Sequence, residues 1–189
     1  MDREKGNDNG EELYRRFLNG DEKAFEELVG LYEHELSLFI TDMVHDLHEA
    51  KHLVIETFAQ LAVYGNFEGR SSLKTYIFAI GKNLAARYVR MRRREAHIAF
   101  EDVIETVVDK GETPETFLQR EENERSLHAA MQDLKPDYRT VLHILYFEDM
   151  SYKEAGQVMK KSERQIEGLA YRAKAALKKI LESEGFTYV

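Results

Sequence analysis

The chain has no cysteine and no long apolar run, and both absences restrict what it can be. Its 189 residues include zero cysteines, which excludes disulfides and leaves only histidine and carboxylate ligands for any metal site. It has no run of about 18 apolar residues, as a transmembrane helix would require. The polar, acidic N-terminus, MDREKGNDNGEEL, does not have the pattern of a signal peptide. We therefore expect a cytoplasmic protein with no membrane insertion.

The chain also lacks an excess of positive charge, because 35 acidic residues outnumber 27 lysines and arginines and give a formal net charge of -8. Such a balance argues against a protein that coats nucleic acid indiscriminately. The charge is nevertheless segregated along the chain. Five of the eight residues from 87 to 94 are arginine, whereas residues 101 to 122 contain eight acidic side chains and two basic ones. An acidic chain can therefore carry a local basic surface.

Strand-like alternation of apolar and polar residues is absent, and apolar residues recur at helical spacing instead. Three such stripes run through residues 25–40, 47–61 and 73–88, with a break containing glycine and serine at residues 64–72. The third stripe continues into the arginine cluster. The pattern predicts an all-α protein that begins with a compact helical bundle.

Proline is limited to two positions, and each marks a helix boundary. Thr113-Pro114 has the form of a helix start after the acidic stretch. Pro136 follows an amphipathic segment that includes Leu118, Leu127 and Leu134. These features predict two small helical domains joined by an acidic linker. The predicted parts are an N-terminal segment (1–19), a first domain (20–95), the linker (96–122), a second domain (123–183) and a C-terminal tail (184–189).

The end of the second domain has the pattern of a helix-turn-helix. Ser151 with Glu154, and Ser162 with Gln165, both fit the capping box, so two helices are expected to begin eleven residues apart. The first is about two turns long, and Gly156 supplies the small side chain for a close helix crossing. The second, over residues 163–181, is rich in arginine and lysine. A short helix before a basic one is typical of DNA binding.

One short motif suggests different chemistry. His48-Glu49-Ala50-Lys51-His52 matches the HExxH pattern of zinc proteases. That chemistry needs a third ligand and a cleft built with strands, which the pattern does not supply, and Lys51 would place a cation beside the metal. A di-iron bundle would need a second Glu-x-x-His motif. We therefore expect no metal, no cofactor and no enzymatic activity.

Three segments in order resemble a known family. EAKHLVIETF (49–58) is similar to DAEDLVQETF, and LKTYIFAIGKNLAARYVR (73–90) is similar to FRTWLFRIARNLALDHLR. LKPDYRTVLHILYFEDMSYKEAGQVM (134–159) matches a lead-in of the form LPPxxRxVxxLxxxxxxSYxEIAxxL, and SERQIEGLAYRAKAALKKIL (162–181) follows it. These are motifs of bacterial RNA polymerase sigma factors of the extracytoplasmic-function type, in the sigma-70 family. The chain resembles that family from about residue 20 to 183.

The resemblance implies a mechanism, partners and contact residues. Region 2 (20–95) would bind core RNA polymerase at the β′ clamp and read the minus 10 element, and region 4 (123–183) would read the minus 35 element near the β flap. An anti-sigma protein would restrain the factor. The implied polymerase contacts are Glu49, His52, Leu53, Ile55, Glu56 and Phe58. The implied minus 10 contacts are Lys74, Tyr76, Lys82, Asn83, Arg87 and Arg90. The implied minus 35 contacts are Ser162, Arg164, Gln165, Glu167, Gly168, Tyr171, Arg172 and Lys174.

The chain also departs from the family pattern. His52 and Ile55 stand where relatives usually have aspartate and glutamine, and Lys160 replaces the usual glycine of the turn. Two other functions remain open on the residues alone. One is a helix-turn-helix regulator that binds duplex DNA without polymerase, and the other is a pure interaction module, which two separate basic surfaces disfavour.

Overall fold

The structure is a computed structural model that describes residues 9–99, 127 and 129–183. These residues form helices and no strand, so the all-α prediction is confirmed. A helical stretch over residues 129–132 precedes the fifth of the named helices. The helices are α1 (Gly10–Leu18), α2 (Glu22–Val44), α3 (Leu47–Tyr64), α4 (Leu73–Ala99), α5 (Pro136–Tyr146), α6 (Tyr152–Met159) and α7 (Glu163–Ser183).

Helices α1 to α4 pack together and are called the N-terminal bundle. Two of its helix starts are fixed by aspartate caps. The Asp21 side chain accepts from the Ala24 backbone N–H (3.3 Å), and the Asp46 side chain accepts from that of Glu49 (3.1 Å). An acceptor in this position satisfies one of the N–H groups that a helix start leaves without a partner.

The core of the N-terminal bundle lies between the apolar stripes of its helices. Phe39 of α2 and Phe78 of α4 are fully buried, with ring centroids 5.2 Å apart. α1 falls within the predicted N-terminal segment, 1–19, and its Leu13 and Tyr14 are buried against the bundle. The Tyr14 hydroxyl donates to the Gly65 carbonyl (3.0 Å). This segment is thus part of the packed structure.

Helices α5 to α7 form a second packed unit, the C-terminal domain. Pro136 stands in the first turn of α5, where its missing N–H costs nothing. The buried side of α7 consists of Ile166, Leu169, Ala170, Ala173 and Leu181. The C-terminal domain also contacts the N-terminal bundle, because α5 packs on α2 and α6 packs on α4.

Some predicted domain boundaries and segments lie at or beyond the limits of the described residues. α4 continues to Ala99, past the predicted boundary at 95. Most of the acidic linker, the predicted helix around Leu118 and the tail (184–189) lie outside the described residues. Within the part that is described, no helix has the length and apolar character needed to cross a membrane.

Candidate nucleic-acid interface

The helix-turn-helix is built by two reciprocal capping boxes. In the first, the Glu154 backbone N–H donates to Ser151 Oγ (3.2 Å) and the Ser151 N–H donates to Glu154 Oε2 (2.9 Å). In the second, the Gln165 N–H donates to Ser162 Oγ (3.3 Å) and the Ser162 N–H donates to Gln165 Oε1 (2.8 Å). Both predicted capping boxes are confirmed. They fix where α6 and α7 begin and therefore where the basic helix α7 lies.

Gly156 is needed for a reason other than the predicted one. A Cβ atom at this position would lie 2.7 Å from the Lys161 carbonyl oxygen, which belongs to the turn and not to the side of a crossing helix. The Lys161 N–H donates to the Gly156 carbonyl (2.9 Å), so the chain leaving α6 folds back directly over the glycine. The expectation that Gly156 serves a helix crossing is corrected accordingly.

Lys160 ends α6 in a left-handed conformation, with φ of 54°. That conformation costs a residue with a Cβ about 1–2 kcal/mol, and glycine commonly occupies it at helix ends. We therefore expect Lys160→Gly to stabilise the protein by about 0.5–1 kcal/mol, since glycine also loses more backbone entropy on folding. Urea unfolding of the full chain measures the change. Lys153→Gly, inside α6, is the matched control and should destabilise; a lower midpoint for Lys160→Gly would contradict the strain.

The side of α7 that faces solvent carries most of the predicted minus 35 residues. Arg164, Gln165 and Arg172 are exposed and border one shallow depression together with Lys161 and Ser162. Glu167 is exposed beside them, and the Tyr171 ring is 75% exposed. Lys174 Nζ lies 6.0 Å from the centre of the Tyr146 ring. Gly168 is half-buried. The structure therefore brings this set together on one accessible surface.

The predicted minus 10 residues of α4 are divided between different environments. Asn83, Arg87 and Arg90 are exposed. Tyr76 is half-buried, with its ring 5.6 Å from that of Phe67. The set is therefore only partly accessible in this arrangement.

Two lysines of the same set face the C-terminal domain. Lys74 Nζ is paired with Glu35 Oε2 (3.0 Å) and with Glu148 Oε2 (2.9 Å). Lys82 is half-buried, and burial lowers its pKa. Asp137 opposes that shift, whereas the charges of Lys160 and Lys161 reinforce it. Lys74 is thus occupied by carboxylates of the protein itself, and Lys82 is half-buried near charges of the C-terminal domain.

Part of the arginine cluster is tied to the neighbouring helix α3. Arg87 bonds to Glu56 (3.0 Å) and Arg92 lies 3.6 Å from Asp46. Exposed ion pairs of this kind contribute at most about 1 kcal/mol. Both arginines can therefore exchange a carboxylate for a phosphate at little cost.

The predicted polymerase-docking residues on α3 fall into two groups. His52 and Ile55 are exposed, with Ile55 66% accessible, and Glu49 and Glu56 are half-buried at the surface. Leu53 and Phe58 are buried in the bundle core, so their side chains hold α3 in place and do not face outward. The outward group is small. It consists of the exposed apolar side chain of Ile55 and the polar side chains of Glu49, His52 and Glu56.

The HExxH motif lies on the same helix. The His48 and His52 rings are 4.5 Å apart and both residues are exposed. Within residues 9–99, 127 and 129–183, no group of three or more histidine, aspartate or glutamate side chains is arranged to hold a metal ion. Leu47, the first residue of the apolar stripe predicted at residues 47–61, is 41% exposed and does not pack in the core.

A polar cluster that no motif indicated lies between the N-terminal bundle and the C-terminal domain. His143 of α5 is 5% exposed, and its Nδ1 bonds to Asp42 Oδ2 (2.7 Å) while its Nε2 bonds to Glu148 Oε1 (3.2 Å). Burial lowers the pKa of His143, but the two carboxylates outweigh burial and raise it to about 8. The only signal in the sequence was a histidine inside an apolar helix, which by itself indicates a satisfied core residue.

Arg139, one turn before His143, extends this cluster to the end of α2. It donates to the Asp42 carbonyl (3.1 Å), to His45 Nε2 (2.7 Å) and to Gln132 Oε1 (2.6 Å). Burial and the Arg139 charge lower the pKa of His45, so its ring accepts this hydrogen bond in the neutral form. Arg139 thereby supplies a cation to the C-terminal end of α2, where a helix presents unpaired carbonyls.

A helical bundle joined to a helix-turn-helix with an accessible basic helix defines a DNA-binding protein of two helical domains. Comparison with known proteins specifies which kind. Residues 124–177 match the family model described as Sigma-70, region 4. This match covers the helix-turn-helix and the helix that leads into it.

Relatives extend the likeness over the rest of the chain. The RNA polymerase sigma-H factor of Pseudomonas aeruginosa is 31% identical over 180 residues, covering 91% of this chain and 93% of the relative. The ECF RNA polymerase sigma factor SigM of Bacillus subtilis is 27% identical over 155 residues, covering 82% of this chain and 93% of the relative. The sigma factor RpoE of Bartonella quintana, solved with the anti-sigma factor NepR, has the same fold, with a TM-score of 0.70, 24% identity and coverage of 85% of this chain and 98% of that one.

The chain therefore belongs to the RNA polymerase sigma factors of the extracytoplasmic-function type, in the sigma-70 family. As a sigma factor it binds core RNA polymerase and directs promoter-specific initiation of transcription. Sigma factors are not enzymes.

Proposed function

We propose that the two packed units divide promoter recognition between them. Residues 20–95 act as region 2, which docks on polymerase and reads the minus 10 element, and residues 123–183 act as region 4, which reads the minus 35 element. The observation that carries this proposal is the accessible basic face of α7, held in place by two capping boxes. The acidic linker (96–122) joins the two.

Region 4 reads the minus 35 element with the first turns of α7. The N-terminal residues of a recognition helix enter the major groove, where base edges present distinct donors and acceptors. Arg164 and Gln165 occupy that position and are exposed, with Glu167 and Gly168 beside them. Arg172 and Lys174 lie further along α7 and meet phosphates, which position the helix without carrying sequence information.

Region 2 reads the minus 10 element as the duplex opens. Single-stranded DNA is held by positive charge beside aromatic side chains on which bases stack. α4 offers Lys74, Lys82, Arg87 and Arg90 for charge and Tyr76 for stacking, with Asn83 as a hydrogen-bonding group. The excess acid elsewhere in the chain discourages stray DNA binding by the free factor.

Polymerase docking uses the outward group of α3. Ile55 supplies apolar area, and Glu49, His52 and Glu56 surround it with polar atoms. An apolar centre with a polar rim is the usual anatomy of an interface. We further propose that the factor works in the cytoplasm, where its polymerase partner lies, and that an anti-sigma protein restrains it, as NepR binds the Bartonella quintana RpoE.

Reconstituted transcription tests this function. Start sites mapped after overexpression of the factor define its promoter, and the purified chain is then added to core polymerase on that promoter. RNA from the mapped start supports the proposal. A protein that shifts the promoter DNA alone but starts no RNA with core polymerase is the stand-alone regulator instead.

Base readout by Arg164 is separable from phosphate contact by Lys174. We expect Arg164→Ala to weaken minus 35 binding by about 1–3 kcal/mol and to relax the preference at one base pair. Lys174→Ala should weaken binding on all sequences equally and reduce its salt dependence. Competition binding against a panel of single base-pair changes checks both variants. An unchanged preference profile for Arg164→Ala would remove this residue from base readout.

A further inference from the structure

Two exposed histidines share one side of α3. His48 and His52 lie one helical turn apart, with their ring centres separated by 4.5 Å, and both residues are exposed. Residues four positions apart on a helix lie one above the other on the same face. Within the part of the chain that the structure describes, neither ring has a hydrogen bond or an ion pair. Their nitrogens are therefore available to a ligand from solution.

The acidic side chains nearest to this pair on α3 are engaged elsewhere. Asp46 accepts from the Glu49 backbone N–H (3.1 Å) and lies 3.6 Å from Arg92. Glu56 is paired with Arg87 (3.0 Å). These contacts draw the two carboxylates toward the helix start and toward α4. The donor that this surface offers most freely is thus the imidazole nitrogen.

The backbone beneath the pair is fixed by packing on the opposite side of α3. Ala50, Leu53 and Val54 are buried in the core of the N-terminal bundle. The Ala50 N–H also donates to the Asp46 carbonyl (2.9 Å), which closes the first turn of the helix. A ligand that binds both histidines therefore has only their side-chain rotations to restrict, and such preorganisation favours binding.

The pair meets the requirements of a divalent transition-metal ion. Imidazole suits Zn²⁺, Cu²⁺ and Ni²⁺. Nitrogen ligands lie about 2.0–2.1 Å from zinc, so two of them on a tetrahedral ion are about 3.3 Å apart. Rings with centres 4.5 Å apart can present nitrogens at that spacing by rotating about their side-chain bonds. Among the described residues no third histidine or carboxylate completes the set, so water fills the remaining positions.

We propose that His48 and His52 form a reversible binding site for a divalent transition-metal ion, and that the bound ion prevents α3 from docking on core polymerase. The expectation of a chain without metal followed from the demands of a catalytic zinc, which has three protein ligands. A reversible site of two histidines and water does not share those demands. Lys51 is exposed, and its flexible side chain can extend into solvent away from the ion.

The effect on docking follows from the position of Ile55. It lies three positions after His52 and seven after His48, and therefore on the same side of α3. A bound ion places a double positive charge and its water molecules one turn from this apolar side chain. Burying such a charge in an interface without a partner is costly, so the ion and polymerase compete. Only this second part of the inference rests on the proposed function.

Calorimetric titration of the full, untagged chain at pH 7 tests the metal site. We expect affinity to rise from Co²⁺ through Ni²⁺ to Cu²⁺, as nitrogen ligands prefer, and no binding of Mg²⁺ by the pair. His48→Gln and His52→Gln should each weaken Ni²⁺ binding by about 100-fold, because either change removes the second, intramolecular attachment. The double variant should be little weaker than either single variant.

His34→Gln is the matched control. His34 is a single exposed histidine on α2, and its replacement should leave the affinity for Ni²⁺ unchanged. Far-UV circular dichroism establishes that each variant is folded. Equal affinity in the unsubstituted chain and in the two single variants would overturn the proposal. Independent, additive losses in the double variant would indicate two separate sites and would overturn the shared one equally.

Titration of labelled factor with core polymerase tests the competition. With Ni²⁺ at about ten times its dissociation constant, the apparent affinity for polymerase should fall by about 10-fold. His48→Gln lies outside the outward group of α3, so it should bind polymerase normally and lose the response to Ni²⁺. An unchanged affinity of the unsubstituted chain, or an equal response in His48→Gln, would overturn the competition. Failure of the metal-free chain to bind polymerase would refute the proposed function and leave the metal site standing.

Discussion

Ile55→Glu is expected to reduce affinity for core polymerase by roughly 30-fold or more while the free protein stays folded. Ile55 is 66% exposed on α3 between polar neighbours, so its side chain contributes little to the bundle. Truncating one of the few central residues that carry most of an interface's binding energy costs about 2 kcal/mol or more, which corresponds to about 30-fold in affinity. A buried charge without a partner adds to the loss. Titration of labelled factor with core polymerase measures the effect.

Leu18→Glu is the matched control for this result. Leu18 is 62% exposed and lies at the end of α1, outside the proposed docking surface. Its substitution introduces the same charge in place of a similar side chain, and polymerase affinity should change little. Equal losses in the two variants would mean that added negative charge, and not the α3 surface, is responsible.

Gly156→Val should disable minus 35 binding by disrupting the turn of the helix-turn-helix. Even the first added carbon would lie 2.7 Å from the Lys161 carbonyl oxygen, and backbone at that distance has to move. We expect a loss of about 1–3 kcal/mol in the free energy of unfolding. The movement also shifts α7 relative to α6, so promoter binding should fall even under conditions in which the variant remains folded. Urea unfolding and binding to minus 35 duplex measure the two effects.

Gly30→Ala provides the control for glycine replacement as such. Gly30 is exposed in the middle of α2, and an added Cβ would meet nothing within 4 Å. Alanine is preferred over glycine inside a helix by roughly 0.5–1 kcal/mol. This variant should therefore be stabilised and should bind DNA normally. Docking on polymerase through α3 should survive in Gly156→Val, because α3 belongs to the N-terminal bundle, and its loss would contradict a defect confined to the turn.

Features that depend on near neighbours in the chain were predictable. The capping boxes join residues three positions apart, so Ser151 with Glu154 and Ser162 with Gln165 identified two helix starts correctly. Helical periodicity likewise predicted the buried stripes of α2 to α4. The resemblance to sigma factors followed from the same segments and is confirmed by relatives that cover nearly the whole chain.

Features that depend on distant neighbours were not predictable. Asp42 and His143 are 101 positions apart in the chain, and neither is marked by a motif. The pairing of Lys74 with Glu148 spans 74 positions. Gly156 was recognised as a small residue, but only the turn geometry shows that the Lys161 carbonyl makes it necessary.

By itself, the sequence determined that this protein is an all-α sigma factor with a basic recognition helix. Helix caps, apolar periodicity and short motifs each depend on residues that are close together in the chain. Only the tertiary structure decided which of the candidate contacts are accessible. It left Arg164 and Ile55 exposed and buried Leu53 and Phe58 in the core. It also paired Lys74 with Glu35 of α2 and with Glu148 in the segment between α5 and α6. The physical reason is that accessibility and charge pairing depend on which surfaces pack together, and residues far apart in the chain decide that packing.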